Sequence, residues 1–168
     1  MSEAASGSVL IVCHANTARS IMAQALLERM LAERASGHRI TIRSGGIGNY
    51  ARDGMLPSLD ARIVLREDGI HLGEDGGLVS TDLRRHRHLM AEADLILTMT
   101  AAQKDLVSVF SEAGGRPLFT LREFAGDEGD IGDPATQGED VFRACRDEIK
   151  RCLELGFARL LATFPPRA

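Results

Sequence analysis

A cysteine and an arginine stand six residues apart in Cys13-His14-Ala15-Asn16-Thr17-Ala18-Arg19-Ser20, directly after the apolar run Val9–Val12. That run, VLIV, is short, continuous and β-branched, the pattern of a strand buried on both faces of a parallel sheet. The stretch after Ser20, IMAQALLERMLAER, is rich in helix formers and holds no glycine or proline, so it reads as a helix with Ser20 as its N-cap. A loop leading from a strand into a helix offers backbone N–H groups without helical partners, at the positive end of the helix dipole. The small side chains of Ala15, Thr17 and Ala18 let such a loop, with His14, curl its N–H groups around an anion. Arg19 adds a planar fork matched to two phosphate oxygens. The same positive field favours a thiolate at Cys13, and a thiolate facing a bound phosphoryl group is a nucleophile in place. Asn16 tolerates left-handed backbone geometry and can brace the loop from within, while the Ser20 hydroxyl can donate to the sulfur. The bare spacing is not specific, because Cys145 and Arg151 repeat it. That second copy falls inside a helical stretch, where six residues turn through about 600° and the two side chains diverge.

Cleaving a phosphate ester also needs a proton for the leaving oxygen, and a carboxylic acid on a loop can supply it and later take one from water. Asp133-Pro134 lies in the glycine-rich acidic stretch Phe124–Gly138, just before the last helix, and the proline fixes the backbone beside the carboxyl. Asp127 and Asp130 share the stretch and read as solvated.

The remaining elements must hold these two loops together. Arg39–Arg43 alternates like a second strand, Asp94–Met99 like a buried third and Pro117–Thr120 like a fourth. A glycine-rich loop over Ser44–Gly54 carries Tyr50, the one tyrosine. Helices are expected from Pro57 with Leu59, Ile63 and Val64 inward, around Thr81–Met90, over Ala101–Glu112 and over Glu139–Thr163, with a loop at Gly73–Gly77. The last helix carries Phe142, Cys145, Ile149 and Cys152 on one stripe. This order predicts an α/β fold, a doubly wound four-stranded parallel sheet with helices on both faces. Ligands of such sheets sit at the carboxyl ends of the strands, where Cys13–Ser20 falls. Residues 1–8 read as a short polar tail and 9–168 as a single domain.

At this point the chain resembles the low-molecular-weight protein-tyrosine-phosphatase family, whose loop is C-x-G-N-x-C-R-S at the end of the first strand. Cys13, Asn16, Arg19 and Ser20 match it; Ala15 replaces the family glycine and Ala18 the second cysteine. Arg43-Ser44-Gly45-Gly46 resembles the family's R-S-A-G, which implies that Ser44 hydrogen-bonds Asn16. The resemblance makes Tyr50 a pocket wall, Asp133 the general acid, and the whole 9–168 stretch a phosphatase domain. It implies hydrolysis of phosphotyrosine-type phosphomonoesters on a phosphorylated protein substrate through a phosphocysteine. Ala135-Thr136-Gln137 stand where tyrosine-directed members carry aromatics. Thr17, with Thr100 after the third strand, resembles the family's bacterial protein-arginine phosphatases, an alternative reading.

Other functions fit less well. Arsenate reductases share the fold but need a relay of further cysteines. Cys145 and Cys152, seven apart on a helix, stand about 10.5 Å apart and cannot bridge. A non-catalytic phosphopeptide-binding module would not need Cys13, Arg19 and Asp133 together. The 168 residues are 44% hydrophobic and 26% charged, with net charge −4, which excludes a disordered chain and argues against nucleic-acid or anionic-membrane partners. No apolar run approaches the ~18 residues that span a bilayer, and the first residues lack a signal-peptide pattern. Three cysteines without CxxC or HExxH spacing point to a reducing cytoplasm, no disulfide framework and no metal or other cofactor. His14, His38, His86 and His88 read as surface or loop residues, and Arg84–His88 as a solvated basic helix face, with docking of an acidic phosphoprotein as the alternative. A monomer or weak dimer is expected.

Overall fold

The computed structural model describes residues 7–72 and 77–166. Strand β1 (Gly7–Cys13) lies inside a parallel sheet of order β2-β1-β3-β4, with β2 at Ile40–Gly46, β3 at Leu95–Thr98 and β4 at Leu118–Thr120. Alternate β1 side chains feed two cores: Val9 and Ile11 face one, Leu10 and Val12 the other. A strand covered on both faces must be apolar throughout, which is why VLIV shows no alternation.

The first core is closed by α1 (Arg19–Arg34), α2 (Leu59–Glu67), the four-residue α5 (Leu121–Phe124) and α6 (Glu139–Thr163). The second lies under α3 (His88–Glu92), α4 (Ala101–Ser108) and a 3₁₀ turn at Ser111–Ala113. The doubly wound α/β architecture is therefore as expected, with one short helix more. On α6, Phe142, Cys145, Ile149 and Cys152 are all buried. Burial pushes the Cys145 thiol up to about 12 and raises that of Cys152 as well. Both are packing residues, and all three cysteines are free. Among the described residues no helix is long and apolar enough to cross a membrane.

Several boundaries differ from the expectation. Strand β1 begins at Gly7, so Gly7 and Ser8 are not tail: their backbones pair with Ile40 and Thr41. Helix α2 starts at Leu59 because the Ser58 side chain accepts the Ala61 N–H as N-cap. Its buried residues are Ala61, Val64 and Leu65, and Leu59 is 62% exposed. No helix spans Thr81–Met90. The Thr81 and Asp82 N–H groups are taken by Asn16 Oδ1 and Asp53 Oδ1, Gly46 bridges to Asp82, and helix begins only at His88. Local helix propensity loses there to long-range partners. Helix α4 stops at Ser108, four residues early. The loop expected at Gly73–Gly77 lies outside the described residues except for Gly77.

Candidate active site

The carboxyl end of β1 and the start of α1 are joined by a five-residue turn that wraps Cys13. The Asn16 N–H reaches Cys13 Sγ at 3.2 Å, and Ser20 Oγ stands 2.9 Å from the same sulfur. Asn16 has φ of 62°, the left-handed geometry expected of it. Ala15, where the family loop has glycine, lies outside that region, so its methyl group costs the backbone nothing. Ser20 sits inside α1, whose N-cap is Ala18, and makes no side-chain cap; the N-cap expectation is corrected and the sulfur contact stands.

Behind the loop a chain of hydrogen bonds fixes every donor. Gln24 Nε2 donates to the Ile42 carbonyl, and Gln24 Oε1 accepts the Ser44 hydroxyl. Ser44 Oγ accepts from Asn16 Nδ2 at 3.0 Å, and Ser20 Oγ accepts from the same amide at 2.7 Å. Once Cys13 is a thiolate it has no proton to give, and the Ser20 hydroxyl is the donor in its contact with the sulfur. Asn16 Oδ1 takes the Thr81 N–H, which leaves this fully buried amide completely paired. The implied Ser44–Asn16 bond is present. Gln24 and Thr81 are additions that the sequence reading missed. Gln24 had a signal: an amide one turn after Ser20 on a helix face that is otherwise apolar. Thr81 had none, because its contribution is backbone.

Two glycines let the sheet approach this close. A Cβ on Gly46 would stand 2.8 Å from the His14 carbonyl oxygen, and one on Gly48 would fall 2.3 Å from the His14 ring. The Ile47 and Gly48 N–H groups bond the Cys13 and His14 carbonyls, so the segment after β2 clamps the loop.

Cys13, His14, Ala15, Thr17, Ala18, Arg19, Tyr50 and Asp133 all line one cleft of about 260 Å³, together with Ser58, Ala135 and Phe142. Asn16, Ser20 and Ser44 lie behind it. His14 is no plain surface residue, since its ring packs against Tyr50 with centroids 4.2 Å apart and planes tilted by 54°. Arg19 is buried; its Nη1 donates to the Ile131 carbonyl at 2.7 Å and its Nη2 stands 3.9 Å from Asp133 Oδ2. The Ile131 N–H in turn bonds the Met99 carbonyl, pinning the acidic loop to the end of β3. Asp133 Oδ1 accepts the Ala135 N–H at 3.0 Å, an Asx turn across Pro134 that aims the other carboxylate oxygen at the cleft. Asp127 pairs with Arg122 and Asp130 accepts the Ala101 N–H, so neither enters. Thr100 caps α4 in a capping box with Gln103 and is structural.

A sulfur with two donors, a guanidinium, a helix N-terminus and a carboxyl around one cleft can hold a phosphoryl group, attack it, and protonate what leaves.

Comparison with known proteins agrees. The model of the family described as low molecular weight phosphotyrosine protein phosphatase matches residues 8–163. The protein-arginine-phosphatase of Geobacillus stearothermophilus is 36% identical over 148 residues, 87% of this chain and 90% of that one. The low molecular weight protein-tyrosine-phosphatase PtpB of Staphylococcus haemolyticus is 30% identical over 142 residues, 84% of this chain and 91% of that one. Among solved structures, a cysteine-to-serine mutant of YwlE arginine phosphatase with a phosphorylated active site serine superposes with a TM-score of 0.79. It is 31% identical and the match covers 92% of this chain and 95% of that one.

Proposed function

The chain belongs to the low molecular weight phosphotyrosine protein phosphatase family, and from that premise we propose that it hydrolyses phosphorylated protein side chains through a phosphocysteine on Cys13. The observation that carries this reading is the sulfur at the base of the cleft, held by the Asn16 N–H and the Ser20 hydroxyl and faced by Arg19 and Asp133. The loop N–H groups and the free part of the Arg19 fork take the phosphoryl oxygens. Cys13 Sγ forms a bond to phosphorus as the bond to the leaving atom breaks, and the departing electron pair takes the Asp133 proton. Water then attacks phosphorus and gives its proton to Asp133, the sulfur recovers its electron pair, and inorganic phosphate leaves. No step calls for a metal or other cofactor. The phosphorylated serine in the mutant of the arginine phosphatase supports transfer to the residue at this position.

Phosphotyrosine is one substrate; phosphoarginine is the second reading, and particular observations favour it. Thr17 lines the cleft, and its hydroxyl can meet a guanidinium N–H that an aliphatic side chain would leave unpaired. Ala135, where an aromatic wall would serve an aryl ring, lines the cleft too. The remaining wall, Tyr50 on His14, presents an aromatic face to either an aryl ring or a cation. Three free thiols support a reducing cytoplasmic setting.

The test is turnover of para-nitrophenyl phosphate, phosphotyrosine and phosphoarginine by wild type, Cys13→Ser and Thr17→Ile. Cys13→Ser abolishes turnover while phosphate still binds; activity near wild type in that variant would remove the assignment. Thr17→Ile shifts preference away from phosphoarginine; an unchanged ratio would leave phosphotyrosine as the substrate.

A further inference from the structure

His14 has two sides. One closes the cleft that holds Cys13, and the other closes a second, larger cavity of about 410 Å³. The floor of this groove is apolar, made by Ile47 after β2 and by Leu106, Val109 and Phe110 at the end of α4. Leu106 is 42% and Val109 76% exposed. A contiguous apolar floor open to water beside a polar cleft marks a place that something covers.

A basic run lies beside the groove and enters its lining at Arg84. Arg84-Arg85-His86-Arg87-His88 contains no acid, in a chain whose net charge is −4. These residues are not the solvated helix face that the sequence suggested. Arg84, which lines the groove, is paired with Asp82, and His86 is paired with Asp53. Arg87 has no carboxylate partner among the described residues. Its guanidinium carbon lies 4.9 Å from the centroid of the Phe110 ring, which places the cation beside a residue that lines the groove while leaving its N–H groups open.

We propose that this groove holds the stretch of a phosphoprotein substrate flanking the phosphorylated residue, with an apolar side chain on Ile47, Leu106, Val109 and Phe110 and a carboxylate at Arg87. The inference rests on the phosphatase reading and deepens it by naming the sequence context that the cleft prefers. Continuity identifies the occupant: His14 is a wall of both cavities, so a polypeptide whose phosphorylated side chain enters the cleft passes over the His14–Tyr50 pair into the groove. Complementarity identifies its chemistry, because an apolar floor with an unpaired arginine suits a leucine or phenylalanine followed by aspartate or glutamate.

The experiment compares phosphopeptides whose flanking positions, on both sides, carry leucine or phenylalanine, aspartate, or only alanine. Wild type, Val109→Asp and Arg87→Glu are assayed, with para-nitrophenyl phosphate as a substrate too small to reach the groove. Wild type favours the apolar-acidic flank over the alanine flank by about tenfold in kcat/KM, mainly through KM, a gain in the range of one partly buried apolar side chain. Val109→Asp erases the apolar preference, Arg87→Glu erases or inverts the acidic one, and both turn over para-nitrophenyl phosphate as wild type does. Both side chains are exposed, so the variants fold. Wild-type kinetics indifferent to the flank would overturn the proposal, as would preferences that survive both substitutions. So would a stable dimer that Val109→Asp dissociates while peptide kinetics stay flat, since the groove would then hold a second copy. If wild type turns over no phosphate substrate, the phosphatase reading fails separately. Fluorescence anisotropy of the same labelled peptides then decides the groove by the same ranking.

Discussion

Replacing Asn16 tests the loop more sharply than replacing Cys13, because it separates backbone geometry from hydrogen bonding. The side chain is fully buried and makes three hydrogen bonds, to Ser20 Oγ, Ser44 Oγ and the Thr81 N–H, with φ at 62°. At about 1 kcal/mol net each, Asn16→Ala loses about 3 kcal/mol. Holding alanine in left-handed geometry adds about 1 kcal/mol more. The sum, about 4 kcal/mol, lowers Tm by roughly 8–16 °C for a domain of this size. Asn16→Gly keeps the geometry and loses only the bonds, so it melts a few degrees above the alanine variant. In both, the Ser20 hydroxyl loses the amide that fixes its direction, and kcat on para-nitrophenyl phosphate falls by about ten- to a hundredfold. Thermal melts and steady-state kinetics on the three proteins read all of this. Asn16→Ala melting within 2 °C of wild type with full activity would refute the reasoning. Alanine and glycine variants of equal stability would refute the backbone part alone.

Asp133→Asn slows poor leaving groups by about 10²–10⁴-fold and affects para-nitrophenyl phosphate far less, since nitrophenolate hardly needs a proton; an equal loss on both would make Asp133 structural. Arg143 and Arg146 hold the exposed Glu67 carboxyl at about 2, below its usual 4.5. Its stabilisation is therefore complete above pH 4.5 and fades as pH falls toward 2. Urea midpoints across that range should fall less steeply for Glu67→Gln than for wild type, and parallel curves would contradict the ion pair. With the Cys145 thiol pushed up to about 12, iodoacetamide near neutral pH leaves Cys145 unmodified in the native protein, as peptide mass spectrometry would record.

The parts of this molecule that depend on local pattern were legible in its sequence. The apolar run of β1, the 25 residues of α6 and the loop between β1 and α1 follow from composition and periodicity. Asp133 stands out over Asp127 and Asp130 by its place in the family resemblance, since an Asp-Pro pair alone reads as an ordinary turn. What escaped depends on partners distant in sequence. Thr81 and Asp82 look helical until Asn16 and Asp53 claim their N–H groups from 65 and 29 residues away. Leu59 looks inward until the Ser58 cap sets the start of its helix and so the phase of its face. Ser20 looks like a cap because the chain enters α1 two residues earlier than its composition suggests. Arg84–His88 shows its charge in the sequence, but not that Arg87 lies on Phe110.

The hydrogen-bonded chain behind Cys13 has an electrical consequence. Hydroxyl groups in series can relay a proton by turning over in sequence, but an amide in the line stops the relay, because its nitrogen has no proton to spare. Here Asn16 separates Ser20 from Ser44, and Gln24 ends the line at a backbone carbonyl. The interior side of the sulfur is thus an insulator to protons. Any proton that leaves Cys13 goes through the mouth of the cleft, to bulk water or to an oxygen of the incoming phosphoryl group. The ionisation of the thiol and that of the substrate are then exchangeable with each other and with solvent, and isolated from the core.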